Sequence, residues 1–70
     1  MKAMELDHDM LLNAARTMES EGGSFAGHIA LAFYVADSTN RERLLTAFDG
    51  LFCNFYQQYR INQRNQGEQA

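Results

Sequence analysis

The chain has 70 residues, enough for one small domain near the lower limit at which a single hydrophobic core holds a fold unaided. Its hydrophobic content of 46% excludes a disordered chain, and its net charge of -3 works against non-specific nucleic-acid binding, which rests on phosphate neutralisation by Lys and Arg. The single cysteine, Cys53, excludes an intramolecular disulfide, and no Cys/His cluster offers a structural zinc, so oligomerisation is the supplement to stability that the composition leaves.

The acidic opening MKAMELDHDM has no apolar core of the kind a signal peptide needs. Together with the lone thiol it reads as the start of a soluble cytoplasmic protein. A first helix is expected over 7–21, capped by Asp7 or Asp9 and carrying Leu11, Ala14, Ala15 and Met18 on one face. Gly22-Gly23 ends it, because glycine readily takes the left-handed conformation just past a helix end.

The next stretch, Phe25 to Ala36, is the most informative in the chain: only Gly27 and His28 in it are not hydrophobic. Its four alanines and its length favour a helix, over 24–36 with Ser24 as cap, rather than a strand. Phe25, Ile29, Ala32, Phe33 and Ala36 form one wide stripe, and Ala26, Gly27 and Ala30 a small-residue patch beside it. Leu31, Tyr34 and Val35 cover the remaining arc. A helix apolar all round is normally buried on every side. A chain this short has little with which to cover one, and a second copy is expected to supply the rest. The run is also far short of the ~20 residues that span a bilayer.

Asp37-Ser38-Thr39-Asn40 is a turn, with Thr39 and Glu42 at capping-box spacing and Ser38 as the competing cap. The third helix is expected over 39–60 with Leu44, Leu45, Phe48, Leu51, Phe52, Phe55, Tyr56 and Tyr59 in helical phase, and with a bend or short break near Gly50. Residues 1–60 then form one helical domain and 61–70 a flexible, polar tail.

The blocks GGSFA, ADS-x-N-x-x-x-L and AF-x-x-LF-x-x-(F/Y)Y, in this order, resemble small open reading frames of temperate bacteriophages and prophages, among them short proteins of the lambda-like early region, over Glu21 to Tyr59. Members of that group often carry Pro at the place of Asp49, which implies a helix interruption there. The resemblance implies an accessory early protein acting on host physiology or on a phage's developmental choice, and it brings no catalytic residues.

Little in the chain points to chemistry. Asp7-His8-Asp9 places an imidazole between two carboxylates, but adjacent residues do not share a helix face as metal pairs must. His28 reads as a satisfied core or partly exposed histidine before a pH-sensitive interface group. Cys53, between Phe52 and Phe55, lacks the positive neighbours of a reactive thiol. No nucleophile–base set and no phosphate loop can be assembled, so no enzyme, cofactor or metal is expected. A helix-turn-helix reader that opens with Thr39, Asn40, Arg41 and Arg43 is the alternative function. The acidic total weighs against it, and these arginines read more simply as solvated surface groups.

The expectation is therefore an all-α, three-helix protein forming an intertwined or face-packed homodimer and acting through contact with a host or phage protein. Its core and interface would use Phe25, Ala26, Ile29, Ala30, Phe33, Phe48, Phe52, Phe55, Tyr56 and Tyr59, the two tyrosines at the rim with their hydroxyls wet.

Overall fold

The computed structural model describes residues 1–69, with side chains through residue 65. A 3-10 turn, Ala3–Glu5, precedes four α-helices: α1 (His8–Glu21), α2 (Gly23–Val35), α3 (Ser38–Ala47) and α4 (Asp49–Gln69). Helix α1 lies at the centre, with α2 and α4 packed along it, while α3 and the N-terminal turn close the other end of the bundle.

The expected third helix is thus two helices, and the described residues form four α-helices instead of three. Phe48 leaves helical geometry at φ -117 and ψ 36, and its N–H still closes α3 on the Leu44 carbonyl at 2.8 Å. The next helix begins at once, with Phe52 N–H donating to the Phe48 carbonyl at 3.1 Å. Only one residue steps out of the helix, so the apolar spacing stays in phase on both sides and periodicity alone cannot reveal the break. Helix α4 also runs on past residue 60 through Gln69, into the segment expected to be a tail. There Gln58 donates to Asn62, and the Asn62 amide donates to the Glu21 carboxylate at the end of α1.

Helix α1 begins as expected, with Asp7 accepting from the Met10 N–H at 2.9 Å, and Leu11, Ala14, Ala15 and Met18 are all buried. The later caps differ. Asp37, rather than Ser38 or Thr39, caps α3 by accepting from the Asn40 N–H at 2.8 Å. A carboxylate there also meets the positive end of the helix dipole, which a hydroxyl does less well. Ser24 lies inside α2, whose start has no side-chain cap. Between α1 and α2 the chain turns on two glycines. Gly22 ends α1 with its N–H on the Met18 carbonyl, and Gly23 takes φ +77, where a side chain would be strained.

The core is built from small residues around three large ones. Phe33 of α2, Phe52 of α4 and Met18 of α1 are fully buried, and the two rings meet at 5.3 Å. Ala14 and Ala15 of α1 join Ala26 and Ala30 of α2 in the same cluster. Ala3 adds to it from the N-terminal turn, held by its N–H donating to the Asp49 carboxylate at 2.6 Å.

Candidate interaction surface

Helix α2 divides sharply by face. Ala26, Ala30 and Phe33 point into the bundle, whereas on the opposite side Phe25, Leu31 and Val35 are 63%, 51% and 87% exposed. His28 shares this outer face, with its ring Nδ1 2.6 Å from the Ser24 carbonyl one turn back, so it belongs to the surface and not the core. Residues 25, 28, 31/32 and 35 fall on one side of a helix by spacing alone. The sequence does not say which side of an all-apolar helix faces out.

One flank of this face is held by α1. The Tyr34 hydroxyl donates to the Glu19 carboxylate at 2.7 Å, and burial with that bond raises the phenol to about 12. Gly27 opens on this flank, where an added Cβ would meet nothing within 4 Å. The other flank falls into an open groove of about 480 Å³ between α2 and α3. Ala32, Val35 and Ala36 wall it on one side and Leu44 and Ala47 on the other, with Asn40 and Arg43 as its polar groups. Arg43 reaches only the Asn40 side-chain oxygen, at 3.3 Å, and no carboxylate among the described residues bonds to it.

The residues expected to share an interface are therefore divided. Ala26, Ala30, Phe33 and Phe52 are core of the single chain. Ile29, Phe48, Phe55 and Tyr56 pack partly buried against that core. Tyr59 is half-buried and stacks on Tyr56 at 6.2 Å. Phe25 alone of the set stands out from the surface, its ring edge-on to Phe48 at 5.7 Å. The small-residue patch on α2 is used within the chain by Ala26 and Ala30, and only Gly27 is left facing outward. Leu31 and Val35 are surface residues of this face that the site reading did not name. Their signal, an apolar residue every fourth position on an arc assigned to no neighbour, is visible only once the buried side is known.

The four residues of the helix-turn-helix alternative are not presented together. Thr39, Asn40 and Arg43 are exposed, but the Arg41 guanidinium folds back over the Phe33 ring at 4.5 Å and reaches His8 Nδ1 at 3.3 Å. A side chain held this way is a lid on the core and does not project toward a groove of DNA. The same contact uses the imidazole of Asp7-His8-Asp9. Among the described residues, no group of three His, Cys, Asp or Glu side chains converges as a metal site would require. The Cys53 thiol, beside Asp49 and the Met1 carbonyl, is raised above its ordinary pKa first by burial and then by the Asp49 charge, the opposite of an activated nucleophile. No described helix is long and apolar enough to cross a membrane.

Compared with family models, curated proteins and solved structures, the chain matches none.

Proposed function

We propose that this is a small regulatory or accessory protein of phage type, which works in a bacterial cytoplasm by protein–protein contact as a helical homodimer and carries out no chemistry of its own. The observation that carries the reading is the outer face of α2, where Phe25, Leu31 and Val35 stand exposed along one helix. Single apolar residues on a surface are ordinary, but a row of them on the most apolar helix of a chain this small marks a contact surface. The phage context rests on the three sequence blocks between Glu21 and Tyr59. The remaining surface suits recognition: Asp9, Glu19 and Glu21 are exposed on α1 beside Arg16, and Arg60 and Arg64 lie on α4.

Sedimentation equilibrium of the full chain tests the reading. A dimer forming at micromolar concentration is the expected result. A well-folded monomer up to hundreds of micromolar would remove it, because the exposed row would then have no partner in its own copy.

A further inference from the structure

We infer that the groove between α2 and α3 is the seat of the second copy, with Val35 of each protomer entering the groove of the other. The inference rests on the homodimer proposed above and gives it a place and an orientation.

A two-fold contact uses the same patch on both subunits, so that patch must hold a projection and a matching recess side by side. The α2 C-terminus does. Val35, 87% exposed, is the projection and forms one lip of the recess, a groove backed by Ala32, Ala36, Leu44 and Ala47 with Asn40 and Arg43 at its polar edge. The charges are also paired for a two-fold. Asp37 follows Val35 by two residues, exposed even while its carboxylate caps α3, and Arg43 stands in the groove with no carboxylate partner among the described residues. Seating Val35 in the opposite groove brings Asp37 to the partner's Arg43, once in each direction. Opposite charges so placed set orientation and exclude a slipped register. A foreign partner would need only the ridge or only the groove. The presence of both, each flanked by the charge the other lacks, is what a second copy requires.

The experiment is sedimentation equilibrium of the full chain and four variants, with far-ultraviolet circular dichroism as the check on folding. Val35→Asp replaces a side chain that is already in water in the single chain, so the helical spectrum should stay while the dimer dissociates, with Kd rising by roughly a hundredfold or more. Asp37→Asn keeps a good helix cap while removing the charge, and Arg43→Gln removes its counterpart. Each should weaken the dimer several-fold, and the double variant should cost no more than the larger single change, the signature of one shared pair. Gly27→Ala, on the opposite flank, should leave association unchanged. If the wild type is a dimer but Val35→Asp associates equally well, the groove is not the seat and this inference falls while the homodimer stands. Strict additivity of Asp37→Asn and Arg43→Gln, or loss of the dimer in Gly27→Ala, likewise overturns it. A wild type that stays monomeric removes both readings together.

Discussion

Gly22 and Gly23 stand side by side between α1 and α2, yet each is glycine for a different reason. A Cβ on Gly22 would lie 2.5 Å from the Met18 carbonyl oxygen, 2.6 Å from the Ala26 Cβ and 3.1 Å from Phe55. The first two belong to backbone or to a buried alanine and cannot swing aside, so Gly22→Ala must push α1 and α2 apart. Overpacking of that kind costs ~1–3 kcal/mol. At Gly23 there is room for a side chain, but φ +77 leaves about 1 kcal/mol of backbone strain for Gly23→Ala. Urea denaturation should therefore rank the two, with Gly22→Ala the less stable; the reverse order would mean that the α1–α2 approach is looser than these distances. Tyr34 gives a second prediction at this scale. Its phenol is raised from 10.0 to about 12 by burial and by the bond to Glu19, so the folded state holds the proton more tightly than the unfolded. This contribution is complete below pH 10 and disappears as pH rises through the folded value. Stability followed by denaturant midpoint should fall between about pH 10 and pH 12, and Tyr34→Phe should remove that part of the slope. An unchanged slope in the variant would show that neither burial nor the Glu19 bond holds the Tyr34 proton in solution.

The break between α3 and α4 and the N-terminal turn form one device. Asp49 opens α4, and its carboxylate accepts from the Ala3 N–H at 2.6 Å, tying residues 46 positions apart while Ala3 fills the core. Asp49→Ala would leave that part-buried N–H, on the one buried residue of the turn, without a partner, at a cost of ~1–3 kcal/mol. Hydrogen exchange at the Ala3 amide should then approach the rate of an open chain while the amides of α1 stay protected. Continued protection at Ala3 would show that apolar packing alone holds the turn. An interruption near Gly50 was legible, but its tie to the N-terminal turn was not, because nothing local marks MKAME as a structured turn and its partner is far along the chain. What was legible is what is local. Asp7 and the two glycines bound α1, and Leu11, Ala14, Ala15 and Met18 declare its inner face by spacing. Helix α2 was legible as an element but not in its orientation: an all-apolar helix carries no phase, so only packing against α1 decides that Phe33 is inside and Val35 outside. The same ambiguity hid the candidate surface, for Leu31 and Val35 read no differently from the buried residues around them.

At the scale of the molecule, the question is how 70 residues remain folded with a row of apolar side chains in water. Typical stabilities of 0.05–0.15 kcal/mol per residue give a chain of this length roughly 3–10 kcal/mol. The Phe33–Phe52 pair holds a large share of that. Phe52→Ala, by deleting a fully buried ring, costs ~3–5 kcal/mol and should leave most of the chain unfolded at dilute concentration. Association adds stability by mass action, since only the folded state binds a second copy. At concentrations well above Kd, where the dimer is the folded species that melts, the unfolding temperature should rise by about 5 °C for each tenfold increase in protein concentration, given ~0.7 kcal/mol of unfolding enthalpy per residue in both chains. Differential scanning calorimetry over a hundredfold range reads this slope without regard to which surface is used. Val35→Asp should then show a midpoint near that of the most dilute wild type and no dependence on concentration. A flat wild-type line would mean that the bundle around α1 is stable by itself, with the outer face of α2 left to solvent and adding nothing to the fold.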